Sequence, residues 1–160
     1  MTLKIHNTYS GKKEDFIPIN PNQILFYACG VTVYDLCHIG HARAYIAFDT
    51  IRRYLIHKGF NVKFVQNFTD IDDKIIARAN ERGISTNELT EENINDFFSD
   101  MESLNILPAT CYPRATKYIG EMQEIIKKLI EDDLAYEKDG DVFFCVSKFE
   151  KYGKLSKKKM

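Results

Sequence analysis

Cys29-Gly30-Val31-Thr32-Val33-Tyr34-Asp35-Leu36-Cys37-His38-Ile39-Gly40-His41 is the stretch whose reading decides the fold. The apolar run Ile-Leu-Phe-Tyr-Ala at 24–28 leads into it and reads as a strand covered on both faces of a parallel sheet. A helical pattern from 42 to 58 leads out, with Ala44, Phe48, Ile51 and Leu55 on one face and Lys58-Gly59 as the stop. A second strand, carrying Val62, Phe64 and Val65, is predicted at 61–68. Strand, helix and strand over this length form a βαβ unit, in which ligands gather beyond the carboxyl ends of the strands. Two imidazoles and a glycine therefore sit at a helix N-terminus, whose free N–H groups and positive dipole end suit phosphate. The pattern points to nucleotide handling.

The rest of the chain bounds that reading. Its 160 residues, 44% hydrophobic and 28% charged, are enough for an ordinary globular core. A net charge of -1 excludes a bulk basic coat, so any nucleic acid must be met by local patches. The first residues, Met-Thr-Leu-Lys-Ile-His, lack the apolar segment of a secretory signal, and no apolar run reaches membrane-spanning length. Cys29, Cys37, Cys111 and Cys145 show no paired short spacing, which favours reduced thiols and a cytoplasmic setting. Residues 1–23 read as an irregular lead-in with a turn at Ser10-Gly11. Helices are expected at 72–82, closed by Gly83, at 88–104, and from Ala115 to Ile130 after Pro113; a hairpin turned by 138–141 and a polar tail come last.

Several residues carry chemistry, each beside a plainer alternative. His38 and His41 would donate hydrogen bonds to ATP phosphates as charge builds at the α-phosphorus, and Gly40 would let adenine approach the backbone. The alternatives are surface or satisfied core histidines, or a local metal site with Cys37. From spacing alone Cys29 reads as a small buried residue, and Cys37 as packed below the histidine loop. Thr69-Asp70-Ile71-Asp72-Asp73 places three carboxylates at a strand-to-helix junction, where Asp72 and Asp73 suit capping and the group could also hold a hydroxyl, an amine or Mg2+. Arg52/Arg53 and Lys127/Lys128 read as solvated helix faces.

Beyond these generic features, the blocks at 26–45 and 64–74 resemble the cysteinyl-tRNA synthetases, as do Leu104-Asn-Ile-Leu-Pro108, Pro113-Arg-Ala-Thr116 and Tyr152-Gly-Lys-Leu-Ser156. The resemblance runs from about residue 24 to 156. It implies an α/β fold, a Rossmann-type parallel-sheet catalytic core of a class I synthetase, with residues 1–83 as its first half and 84–160 starting a connective insertion of helices and a hairpin. It implies that His38, Gly40 and His41 bind ATP, with both histidines catalytic. Thr69 and Asp70 would line a cysteine pocket, with Gly30 beside it and Thr32 and Tyr34 at its outer edge. Cys29 would be the first ligand of a Zn2+ ion whose other ligands lie outside these residues, which reverses the reading from spacing. The implied partners are L-cysteine, ATP with Mg2+ and tRNA(Cys), in a cytoplasmic, monomeric enzyme. The family's later lysine loop and anticodon-binding helices have no counterpart here, and these residues alone are expected not to sustain aminoacylation. Rival readings are a cysteine-activating amino-sugar ligase, a non-catalytic ATP- or tRNA-binding module, and, least supported, a phosphopantetheine-type nucleotidyltransferase.

Overall fold

The computed structural model describes residues 3–158. By internal contacts the chain forms two compact units, one of residues 18–118 and one of the segments up to Ile17 and from Ile119 onward.

The larger unit is built on the βαβ element expected from the sequence. Strand β3 (Gln23–Ala28) pairs in parallel with β4 (Asn61–Gln66), in register Gln23 with Asn61 through Ala28 with Gln66. Helix α1 (Ile39–His57) joins them. Within the chain, β3 is covered on one face only: Ile24 and Ala28 are buried, whereas Leu25 is 73% and Tyr27 61% exposed. The buried stripe of α1 also differs from the apolar count. Tyr45, Asp49 and Leu55 face inward and Ile51 is exposed.

The reason lies in the loop after the third helix. Asp49 accepts from the Leu107 amide (3.2 Å) and from Arg53 Nε (2.6 Å). Arg52 donates to the carbonyls of Leu107 and Pro108, and Arg53 to that of Asn105. The two arginines are thus anchors of the 105–108 loop rather than a solvated face, donating to three of its carbonyls.

Helix α2 (Asp73–Arg82) is capped by the Asp72 side chain, which accepts from the Lys74 amide, and ends at Gly83 with φ 65°. Helix α3 (Thr86–Ser103) is capped by Ser85. Its Leu89, Ile94, Phe97 and Met101 share one core with Val31, Val33, Tyr45, Phe68, Ile75 and Ala79. Phe68 sits at the centre, edge-on to Phe97 (5.2 Å between centroids) and stacked on Tyr112 (5.4 Å). Buried Asn93 donates to the carbonyls of Val33 and Leu89. Helix α3 therefore holds the 31–33 segment from below, and the compact unit runs past Gly83 to Tyr118.

Residues 111–116 overturn the expected helix start at Ala115. The Gln66 and Phe68 amides donate to the carbonyls of Cys111 and Pro113, and the Ala115 amide donates to Phe68, so the segment runs beside the extension of β4. A short 3-10 turn at Ala115–Lys117 follows, and helix α4 begins only at Ile119 (Ile119–Glu131). Helical periodicity cannot report backbone groups claimed by a neighbouring strand.

The smaller unit holds α4 and two antiparallel hairpins. Strands β5 (Ala135–Lys138) and β6 (Asp141–Phe144) meet through Asp139-Gly140, both at positive φ (56° and 88°), the two-residue turn expected from an Asp-Gly pair. Strands β1 (Lys4–Asn7) and β2 (Lys12–Asp15) form a hairpin where the sequence reads as irregular. Both strands are exposed on every residue, so no apolar alternation marks them. Among the described residues no helix is long and apolar enough to cross a membrane.

Candidate active site at the carboxyl end of the parallel pair

Beyond Ala28 the chain leaves the ladder and crosses the end of β4. The Gly30 amide donates to Oδ1 of Asn67 (2.8 Å), which also accepts from the Tyr27 hydroxyl (2.9 Å). A Cβ on Gly30 would lie 1.4 Å from the Asn67 carbonyl oxygen, so only glycine passes here. Pairing resumes one step on: Thr32 bridges Thr69, the Thr69 amide donates to the Val31 carbonyl (3.0 Å) and the Val33 amide to the Thr69 carbonyl (3.3 Å). Cys29 stands just before this crossing and is exposed. Its Sγ has only a long contact, 3.7 Å, to the neighbouring Gly30 carbonyl. The expectation from spacing, a buried cysteine, is thereby corrected: Cys29 continues the exposed face of Leu25 and Tyr27, and only beyond it, at Val31 and Val33, does that register turn inward.

The histidines cap α1. His38, in extended conformation (φ −121°, ψ 170°), accepts the Gly40 amide at Nδ1 (3.0 Å), while Nδ1 of His41 accepts the His38 amide (3.2 Å). The rings stack at 3.9 Å. This reciprocal cap begins the helix three residues before the apolar pattern does, and His38 and Gly40 remain exposed beside it. Because each Nδ1 accepts, each ring in this arrangement carries its proton on Nε2 and has that N–H left to donate. A Cβ on Gly40 would meet the His38 ring at 2.7 Å, so the glycine also makes room for the cap. Burial, helped by the neighbouring His38, holds the His41 pKa below its ordinary value.

The remaining expected residues divide. Tyr34 lies under Lys74, whose ammonium is 5.4 Å from the ring centre. Asp70 uses both carboxylate oxygens on Thr116, one from its amide (2.9 Å) and one from its hydroxyl (2.6 Å). Nearby Arg114 and Glu91 form a two-pronged ion pair. Asp35 accepts from the Leu36 amide and from Arg78, both of which lower its pKa. The Cys37 thiol is pushed up to about 11, chiefly by burial and then by Asp100, so it stays protonated at neutral pH. Tyr45 is raised mainly by burial, with Cys37 and Cys29 adding to it.

Among the described residues no group of three His, Cys, Asp or Glu side chains is placed to hold a metal. A local Cys37–His38–His41 site is disfavoured on its own geometry as well, since both Nδ1 atoms are taken up in capping the helix. Cys29 has the chemistry of a zinc ligand, an exposed sulfur with no competing strong bond. Reading by motif missed Asn67 and Thr116. The only signal for either is an amide- or hydroxyl-bearing side chain within a motif block.

Known proteins resemble this chain over most of its length. The chain is 60% identical over 156 residues to a cysteine–tRNA ligase of Prochlorococcus marinus (strain NATL1A), covering 98% of this chain and 31% of that protein. It is 52% identical over 160 residues to the cysteine–tRNA ligase of Geobacter metallireducens, covering 100% of this chain and 33% of that one. The chain thus spans about a third of the length of these relatives. Among solved structures, a Mycobacterium tuberculosis methionyl-tRNA synthetase in complex with methionyl-adenylate matches with a TM-score of 0.59 at 20% identity, over 75% of this chain and 28% of that one. The LeuRS of Agrobacterium radiobacter K84, in a ternary complex with tRNA and LeuAMS, matches with a TM-score of 0.65 at 22% identity, over 78% of this chain and 17% of that one. At such identities these two establish the fold, the Rossmann-like α/β architecture of class I synthetases. Residues 15–160 match the family described as "tRNA synthetases class I (C) catalytic domain", and the chain belongs to it.

Proposed function

We propose that this chain is the part of a cysteine–tRNA ligase that meets ATP and cysteine. Cysteine and ATP would form cysteinyl-adenylate and pyrophosphate, and the cysteinyl group would then pass to the 3′ end of tRNA(Cys). The observation that carries the reading is the pairing, at one sheet end, of a thiol turned outward with a helix start whose two histidines keep Nε2–H groups to donate.

In this reading His38 and His41 donate to the phosphates of Mg2+-bound ATP, where negative charge grows as the cysteine carboxylate attacks the α-phosphorus. The remaining N–H groups at the start of α1 add to that field. Gly30, Thr32 and Thr69 form the wall of the amino-acid pocket with backbone groups held by the bonds between the two segments, and Tyr34 borders it. With its oxygens on Thr116, Asp70 shapes that wall by fixing the 69–70 backbone. Cys29 would supply one zinc ligand, the others coming from outside these residues. Zinc supplies a soft acceptor for the substrate thiolate, which separates cysteine from serine where apolar packing yields only about 1–3 kcal/mol. The setting is cytoplasmic and the working form a monomer.

The test is cysteine-dependent ATP–pyrophosphate exchange by the complete protein, with His38→Ala and His41→Ala each lowering kcat at least tenfold. Activity with cysteine that yields an amide of an amino-sugar and no charged tRNA would move the assignment to that ligase. Exchange unaffected by both substitutions would end it.

A further inference from the structure

The parallel ladder carries one residue too many at its active end. Ala28 pairs with Gln66 and Thr32 with Thr69, so residues 29, 30 and 31 on one segment face only 67 and 68 on the other. This is a bulge, and Cys29 is its first residue. A bulge leaves a backbone amide without its ladder partner and re-aims the side chains beside it. The amide left over is that of Gly30, and Asn67 takes it: Oδ1 accepts from Gly30 at 2.8 Å and from the Tyr27 hydroxyl at 2.9 Å. Tyr27 and Gly30 flank the Ala28-Cys29 pair, so one oxygen grips the chain on both sides of the thiol. The Asn67 carbonyl, 1.4 Å from where a Gly30 Cβ would stand, closes the seam from behind.

We infer that Asn67 is the positioning residue of the Cys29 thiol, fixing the backbone on both sides of it where the ladder breaks. The inference rests on the proposed role of Cys29 as a metal ligand, and deepens it. A residue that orients a metal ligand through such a bond typically changes metal affinity by about 10–100-fold when removed. Asparagine suits the task because a single neutral oxygen takes two donors from opposite sides. A carboxylate would keep both bonds, whereas Ala or Leu would keep neither.

The experiment uses the complete protein carrying Asn67→Ala, Asn67→Leu and Asn67→Asp, with Cys29→Ala as reference. Three readouts are taken: zinc affinity, hydrogen exchange at the Gly30 amide, and the alkylation rate of Cys29, read by mass spectrometry on its own peptide in metal-stripped protein. For Ala and Leu we expect zinc affinity at least tenfold weaker, loss of protection at Gly30, and Cys29 alkylation changed at least threefold. KM for cysteine should rise while KM for ATP holds. Asp should restore protection at Gly30 and zinc affinity to within threefold. A merely structural loss would lower the active fraction and leave both KM values alone. Unchanged Gly30 protection and Cys29 reactivity in the Ala variant overturn the inference, as does an Asp variant no better than Leu. If Cys29→Ala retains the wild-type zinc affinity, the ligand role proposed for Cys29 fails, while the Gly30 and alkylation readouts still decide whether Asn67 sets the bulge.

Discussion

Replacing Gly30 with alanine should open the seam on which the site is built. The new Cβ would lie 1.4 Å from the Asn67 carbonyl oxygen and 2.6 Å from its carbon. An ordinary carbon–oxygen contact is about 3.3 Å or more, so the two segments must part by roughly 2 Å. Backbone stands on both sides, and no rotamer change relieves it. That movement breaks the Gly30–Asn67 bond and strains the Thr69–Val31 and Val33–Thr69 bonds beyond it. Overpacking costs about 1–3 kcal/mol and each lost hydrogen bond about 1 kcal/mol, against a gain of under about 1 kcal/mol from a stiffer unfolded chain. The net loss is about 3 kcal/mol, more than a hundredfold in the folding equilibrium. Gly59 is the control: it has positive φ (88°) with no atom within 4 Å of its would-be Cβ, so Gly59→Ala carries only the dihedral cost of about 1–2 kcal/mol. Urea unfolding followed by circular dichroism compares the two, and exchange of the Thr69 amide gives the local reading. A Gly30→Ala variant no less stable than Gly59→Ala would refute the steric argument.

Two further expectations concern the helix between the strands. Protonating His41 at Nδ1 would set a donor against the His38 amide it now accepts, and burial already lowers its pKa, with His38 adding to the effect. Its contribution to stability is therefore complete above the ordinary histidine value near 6.5 and fades as pH falls through the lower folded value. An NMR titration of the His41 ring should give a midpoint below about 6.5, with faster His38 amide exchange on the acid side; a midpoint at or above the ordinary value contradicts the cap. Asp49→Ala leaves the Leu107 amide and the Arg53 side chain without their acceptor and should cost about 2 kcal/mol. Arg53→Ala removes a half-exposed, screened partner and should cost about 1 kcal/mol or less. Limited proteolysis at 105–108 orders the two, and equal cutting rates would count against the anchor.

Much of this molecule is legible from local pattern. The βαβ order, the Asp72 and Gly83 boundaries of α2, the Asp-Gly turn and the His-x-Gly-His position all follow from properties each segment carries alone: periodicity, capping chemistry and positive-φ residues. What local pattern misses is whatever depends on a partner distant in sequence. Arg52 and Arg53 read as solvated because the carbonyls that accept from them lie more than fifty positions away, and the chain from Ala115 reads as helix because Phe68 and Asp70 claim the Ala115 and Thr116 amides only once folded. The charged β1–β2 hairpin is held by backbone bonds, to which side-chain pattern is blind.

The site divides along the same line. From the order of its residues the chain determined that a thiol, a glycine and two histidines would follow a strand and precede a helix. Tertiary structure alone decided that this face of β3 is uncovered and that the chain turns inward just past the thiol, because the extra residue in the ladder and the Asn67 oxygen that accommodates it exist only when two segments almost forty positions apart pair. Sequence spacing counts residues along one chain, whereas a bulge is a difference between two counts.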